Sequence, residues 1–222
     1  MFEAASLKFL KDLKKNNNKP WFDAHRAQYE ATKKNFENFI QALIQKHALK
    51  DASIKDQEAR KCIFRINRDI RFSKDKSPYK SNFGASINMG GKKSIFAGYY
   101  FHFEPGESFV GGGLWQPMPP ELKKVRQEID YCHDEFKKII GSRKFKSVYG
   151  DLYRGADVSL SRAPQGFDPD NPAAADLKLK SWLAMRSIKD AELGSKELLK
   201  ISLHAFETLQ PLIVFINRAL VD

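Results

Sequence analysis

The chain has 222 residues, 42% hydrophobic and 29% charged, with a formal net charge of +11, a balance typical of a single globular domain. A chain of this length buries about 70% of its unfolded surface, so its stability requires no metal or disulfide. The N-terminus is charged, and no apolar run approaches the ~20 residues of a membrane helix, which predicts a cytoplasmic protein without contact with a membrane. The two cysteines lie far apart and are predicted to be free thiols. One domain is predicted over residues 1–222.

Two helices are predicted in the N-terminal part of the chain. The first begins near Ser6 and ends at the three asparagines of positions 16–18. The second begins at the last of these asparagines, and its apolar residues between Phe22 and Ile44 follow the helical period of 3.6 residues.

The middle third of the chain has the two-residue period of β-strands. Tight turns are predicted at 90–93 and 105–106, where glycine occurs between the alternating segments. Together these features predict an antiparallel meander of about four strands. The predicted strands cover residues 62–67, 83–89, 95–103 and 108–115.

The C-terminal half returns to helical spacing. A helix is predicted from Pro119 to Gly141, and a last helix starts at Ser195 and is kinked or divided by Pro211. Helices before, within and after a block of strands predict an α+β fold with helices packed on an antiparallel sheet. Four shorter elements are predicted between the two helices: a loose hairpin at 149–160, a loop at 164–172, a short helix after that loop, and a strand at 182–188.

The segment FRINRDIRFSKDKSPYK, residues 64–80, is the densest polar stretch of the chain. Residues 60–80 contain eight basic residues and two acidic ones, which is more than half of the net charge in a tenth of the length. If the segment begins as a strand, Arg65, Asn67, Asp69 and Arg71 share one face. Arginine binds phosphate and carboxylate groups through two parallel N–H donors, so this row predicts an anion site.

Arg68 falls on the opposite, apolar face of that predicted strand. A buried guanidinium without a partner is costly, so we expect a carboxylate such as Glu104 or Asp168, or the ligand itself, to bind it. The alternative is a solvated basic edge strand whose charges prevent aggregation. The candidate ligand-binding residues are Arg65, Arg68, Asp69, Arg71, Lys74, Asp75, Lys76, Ser77, Tyr79 and Lys80.

The same residues carry a resemblance to a known family. The chain resembles the family labelled domain of unknown function 2461 over nearly its whole length, and the run 64–80 is specific to it. The resemblance implies neither an activity, nor a cofactor, nor a catalytic residue. The matching residues are Trp21, Phe22, Tyr29, Phe64–Ile66, Arg68, Asp69, Arg71–Ser73, Asp75–Lys80, Pro105, Gly106, Ser108, Gly112, Gly113, Trp115, Pro164, Gly166 and Phe167.

Other motifs are weaker. Ser73-x-x-Lys76 fits a serine acyltransferase pattern, but its companion motifs are missing from the sequence. His102 and Glu104 share one strand face without a known metal-ligand spacing, so no metal site is predicted. The glycines of 111–113 favour either the close approach of a ligand or backbone, or a bulge.

The sequence therefore predicts a pocket for a phosphorylated or otherwise anionic small molecule. Whether a reaction occurs there is left open, with the arginines as candidates for stabilising negative charge and Asp69 or Asp75 for moving protons. One alternative is a nucleic-acid-binding protein, in which aromatic residues such as Phe72 and Tyr100 stack on bases. Another is a scaffold that docks an acidic partner. No cofactor and no oligomeric state are predicted.

Overall fold

A computed structural model describes residues 1–221, and at its centre lies a four-stranded antiparallel sheet with the order β1-β2-β3-β4. The α+β prediction is confirmed. The strand predicted at 182–188 supplies the fourth position, next to β3. The strands are β1 Phe83–Asn88, β2 Gly98–Phe103, β3 Phe109–Leu114 and β4 Trp182–Ser187.

Ten α-helices and one short 3-10 turn, Ala52–Ile54, surround this sheet within residues 1–221. Four helices precede β1, four lie between β3 and β4, and two follow β4. Their bounds are α1 Ala4–Lys15, α2 Lys19–Ala24, α3 Arg26–His47, α4 Ala59–Cys62, α5 Pro119–Tyr131, α6 His133–Gly141, α7 Arg143–Tyr149, α8 Ala174–Leu177, α9 Asp190–Leu193 and α10 Leu198–Arg218.

One face of the sheet is covered by helices. Helix α3 packs against β1, and α10 packs against β2 and β3. The residues of this face are large and apolar, as alternation along a strand requires when one face is buried. On β2, Phe101 is completely buried and its ring lies 4.9 Å from that of Phe39 and 6.0 Å from that of Phe2.

The other face of the sheet combines glycines and polar residues with a few larger side chains. The pairing register places Ser86, Tyr100, Gly111 and Met185 in one row across the four strands. This face is not covered by α3 or α10, which already occupy the opposite side, so the fold leaves a recess above the strands.

Helix α10 is long and apolar enough to cross a membrane by length and composition alone. In this structure half of its apolar window is buried against the sheet and the neighbouring helices. The sequence predicts that Pro211 kinks or divides this helix; the helix continues on both sides of it, so Pro211 does not divide it.

Two other predicted helices are each interrupted once. The helix predicted from Asn18 stops at Ala24 and restarts at Arg26, with the break at His25, where φ is −109° and ψ is 17°. The imidazole of His25 bonds the carbonyl oxygen of Trp21 at 2.8 Å, and the two rings stack. The helix predicted over 119–141 breaks at Cys132, where φ is −115° and ψ is 36°.

The strand predicted at 62–67 is wrong. Cys62 ends α4, and Ile63 makes only an isolated bridge to Ala85. The chain then forms an open loop over residues 64–80, closed at its base by the bonds Arg68 N to Pro78 O and Lys80 N to Ile66 O.

Side chains explain why this loop has no regular ladder. Asp69 accepts a bond from the backbone N–H of Arg71, and Asp75 accepts one from that of Ser77. Such turns compete with strand pairing for backbone donors.

The hairpin predicted at 149–160 is also wrong. The backbone N–H of Leu160 donates to the carbonyl oxygen of Lys178, and that of Tyr153 donates to the carbonyl oxygen of Leu183, so the segment pairs with other parts of the chain.

Candidate functional site

A cavity of about 730 Å³ lies on the open face of the sheet. Its floor is formed by the strands, and its walls come from Phe64 and Lys80 before β1, from the β1–β2 connection, and from the segment between β3 and α5. A volume of this size is within the range of small-molecule sites.

Glycines leave part of the floor of this cavity without side chains. Gly84, Gly98 and Gly113 line the cavity at positions that the pairing register aligns with the open face, so the backbone itself forms part of the floor. A Cβ atom at Gly84 would lie 2.2 Å from the Tyr100 hydroxyl oxygen. The phenol ring of Tyr100 therefore occupies space that any side chain at position 84 would contest.

Gly112 and Gly113 also allow the backbones of the neighbouring strands to approach closely. Their φ angles are +148° and +124°, and a Cβ atom at Gly113 would lie 1.9 Å from the carbonyl oxygen of Trp182. The predicted close approach at 111–113 is therefore an approach of neighbouring backbone, at a position that also borders the cavity.

Two ammonium groups lie on one wall of the cavity. The Nζ atoms of Lys80 and Lys92 are 5.7 Å and 5.6 Å from the centre of the Phe64 ring, which lies 6.4 Å from the ring of Tyr100. Lys92 donates to the carbonyl oxygen of Ile63. Burial, together with the charge of Arg65, lowers the pKa of Lys80 below its usual value.

Three polar side chains of β2 and its end are in contact along the same face. The Tyr100 hydroxyl lies 3.4 Å from Nδ1 of His102, and Nε2 of His102 lies 3.0 Å from Oε2 of Glu104. The ring of His102 stacks on Phe109, 4.8 Å away. The predicted shared face of His102 and Glu104 is thus present, and the two side chains form a pair.

Glu104 is held by several donors. Ser81 donates to its carboxylate at 2.7 Å, Asn82 donates at 3.4 Å, and Lys14 lies 3.7 Å away. The hydrogen bonds from His102 and Ser81 lower the pKa of Glu104 to about 2, although burial acts in the opposite direction. Glu104 is therefore ionised at neutral pH.

The lining of the cavity also includes unsatisfied polar atoms and an exposed apolar rim. The buried atoms Ser94 Oγ and Glu121 Oε2 have no hydrogen-bond partner among the described residues. Buried polar groups are nearly always paired, so these two atoms point to a polar ligand or to water. Trp115 and Met118 are 57% and 68% exposed on the same rim.

Two of the three arginines of the loop 64–80, Arg68 and Arg71, are each held by a separate carboxylate. Arg71 donates two bonds to Asp69, at 3.0 and 2.7 Å. Arg68 binds Asp75 and also donates to the carbonyl oxygen of Ser77. The predicted partners of Arg68, Glu104 and Asp168, are replaced by Asp75, because the strand that would have placed Arg68 on an apolar face does not form.

The remaining predicted site residues divide between core, solvent and cavity. Tyr79 is buried and stacks on Phe22 at 4.0 Å. Lys76 donates to the carbonyl oxygen of Ile70, and Lys74 is exposed. Among the ten predicted ligand-binding residues, Lys80 lines the cavity. The loop 164–172 does not line the cavity, and its Asn171 side chain donates a hydrogen bond to Asp130 of α5.

A comparison with models of protein families shows to which family the chain belongs. The model of the family described as "Conserved hypothetical protein (DUF2461)" matches residues 5–215. The chain belongs to this family. No curated protein and no solved structure matches it. The matched range includes both the loop 64–80 and the four strands of this DUF2461 chain, so the residues that line the cavity lie within it.

Sequence reasoning missed most of the cavity of this DUF2461 member. The signal was present in the alternation of Gly84, Ser86 and Asn88 with the apolar residues between them. It marked one face of β1 as small and polar. Within residues 1–221, no group of three or more His, Cys, Asp or Glu side chains is arranged to hold a metal ion.

Proposed function

We propose that the protein binds a small organic anion in the cavity on the open face of the sheet. The observation that carries this proposal is the pair of ammonium groups, Lys80 and Lys92, beside the Phe64 ring. Neither lysine has a carboxylate partner among the ion pairs of residues 1–221. A bound anion supplies the missing negative charge, and a partly buried site screens that attraction less than open solvent does.

The shape and lining of the cavity specify the rest of the ligand. The glycines leave part of the floor as bare backbone, and Tyr100 and Trp115 add aromatic surface. A flat apolar or aromatic group lies well on such a floor, while its charged group faces the lysines. The proposed ligand class is therefore an organic anion with a planar apolar part, such as an aryl carboxylate, sulfonate or phosphate.

Benzenesulfonate tests this class, because it combines both features and keeps its charge across the usable pH range. We expect isothermal titration to show binding to the wild-type protein, and the substitution Lys80→Met to weaken it at least ~10-fold. A charge-assisted hydrogen bond contributes roughly 1.5–3 kcal/mol, and about 1.4 kcal/mol corresponds to tenfold in affinity. Methionine keeps the apolar stem of the side chain and removes only the charge.

Lys74→Met is the matched control, because Lys74 is exposed on the loop. It removes the same charge from the protein as a whole and should leave the affinity within about twofold, since exposed charges at a distance are screened. Inorganic sulfate and benzyl alcohol, which each carry one half of the ligand, should bind more weakly than benzenesulfonate. Equal losses from the two lysine substitutions would contradict the proposed location.

One observation favours a second candidate, a single-stranded nucleic acid bound by the loop 64–80. Phe72 is 96% exposed, and the guanidinium of Arg71 lies 5.8 Å from its ring. An exposed aromatic ring among cations suits base stacking and phosphate contacts. The two candidates place the ligand on different surfaces, so a map of the contacted residues distinguishes them.

A further inference from the structure

We propose that Tyr100, His102 and Glu104 form a proton relay that lets the cavity transfer protons to and from its bound organic anion. The inference deepens the proposed function, because it assigns a chemical step to the same site. It rests on two contacts of one strand, from Glu104 to Nε2 of His102 and from Nδ1 of His102 to the Tyr100 hydroxyl.

The ionised carboxylate decides which nitrogen of His102 carries the proton. Glu104 accepts hydrogen bonds and donates none, so Nε2 of His102, 3.0 Å away, must carry a proton. In neutral His102, Nδ1 is then an acceptor that faces the Tyr100 hydroxyl. Tyr100 donates to Nδ1, and the lone pairs of its oxygen are free to face the cavity.

The direction of the Tyr100 hydroxyl therefore follows the charge of His102. With neutral His102, the Tyr100 oxygen accepts a proton from a bound acid. The bond between the acid and its proton breaks, a new O–H bond forms, and the original Tyr100 proton moves to Nδ1. The products are the conjugate base of the ligand and an imidazolium stabilised by Glu104.

The reverse step returns the proton by the same route. Protonated His102 donates Nδ1–H to the Tyr100 oxygen as the Tyr100 proton passes to the ligand. Burial raises the pKa of Tyr100 to about 12, so the phenol keeps its proton at neutral pH until a partner accepts it. The substrate class is an organic anion with an acidic O–H or C–H group within reach of Tyr100.

The surroundings of His102 are consistent with this role. On its own strand the charged neighbour is Glu104, and from α1 Lys14 lies beside that carboxylate and also 3.9 Å from Glu107. Phe109 of β3 stacks on the ring, and Gly84 of β1 is its strand partner. Lys80 lines the same cavity. The ring is 15% exposed, so it is accessible from the cavity but shielded from bulk water.

4-Nitrophenol is the probe, because it is a planar acid whose ionised form absorbs visible light. We expect the bound probe to ionise at least ~1 pH unit below the free probe, a tenfold change in its ionisation constant. Tyr100→Phe and His102→Gln should each reduce this shift well below the wild-type value while the probe remains bound, and the shift that remains is due to Lys80 and Lys92, whose charges also favour the ionised form. Glu104→Gln should reduce the shift in part, since Glu104 acts by positioning His102.

The outcomes separate this inference from the proposed function. If the wild-type protein binds benzenesulfonate but shifts the ionisation of 4-nitrophenol no more than Tyr100→Phe and His102→Gln do, the relay is wrong and the binding site stands. If the wild-type protein binds neither compound, both proposals fail. Thermal unfolding of each variant checks that the phenol and imidazole substitutions leave the fold intact.

Discussion

Gly113→Ala should destabilise the protein by about 3 kcal/mol or more in urea unfolding. The φ angle of Gly113 is +124°, a conformation that costs an L-amino acid with a side chain roughly 1–3 kcal/mol. The added Cβ would also lie 1.9 Å from the carbonyl oxygen of Trp182, so β3 and β4 would have to separate locally. The loss of pairing between β3 and β4 at the floor of the cavity adds to the free-energy cost of the positive φ angle.

Two other glycines separate these contributions. Gly106 has a φ angle of +79°, but a Cβ there meets no atom within 4 Å, so Gly106→Ala measures the conformational cost alone. Gly141 ends α6 without a positive φ and with open space around it, so Gly141→Ala should be neutral or slightly stabilising. Equal stability of the Gly113→Ala and Gly106→Ala variants would contradict the proposed strand clash.

Glu104→Gln should cost most stability at neutral pH and progressively less in acid. The pKa of Glu104 in the folded protein is about 2, below the ordinary value of 4.5. A lowered folded pKa contributes stability that is complete above pH 4.5 and is lost as the pH falls toward 2. A shift of this size corresponds to roughly 3 kcal/mol at pH 7.

Urea unfolding of both proteins between neutral and acidic pH measures this difference. Other carboxylates titrate in both proteins alike, so the gap between the free energies of unfolding of the two proteins at each pH reports the contribution of Glu104. A gap that stays constant with pH would mean that the carboxylate is not held by charge-assisted hydrogen bonds. The same result would weaken the assignment of the proton on Nε2 of His102.

The parts of the fold that could be predicted are those in which local pattern and tertiary packing agree. Helix α1 and strand β1 have apolar residues at the period of the element that forms. The order of helices, strands and helices was enough for the α+β class. The interruption at His25 was not predictable from period alone, because it is a change of backbone angles at a single residue within a continuous apolar pattern.

The candidate site was only partly predictable for a related reason. In residues 64–72 the apolar side chains alternate with arginines as they would in a strand, yet Phe72 is fully exposed while Ile66 is buried. The aspartate side chains form local turns there, and this outcome depends on competition between nearby donors and acceptors. The cavity joins Phe64, β2 and Trp115, and their proximity follows from strand pairing that the sequence does not display.

The location of the ligand is the central claim, and a map of backbone amide shifts tests it most directly. On addition of benzenesulfonate to 15N-labelled protein, we expect the largest shifts at Gly98, Tyr100 and Gly113 and at the indole N–H of Trp115. Amides of residues 68–76 should move little. Shifts confined to residues 65–77, with the sheet amides unchanged, would place binding on the basic loop and contradict the account.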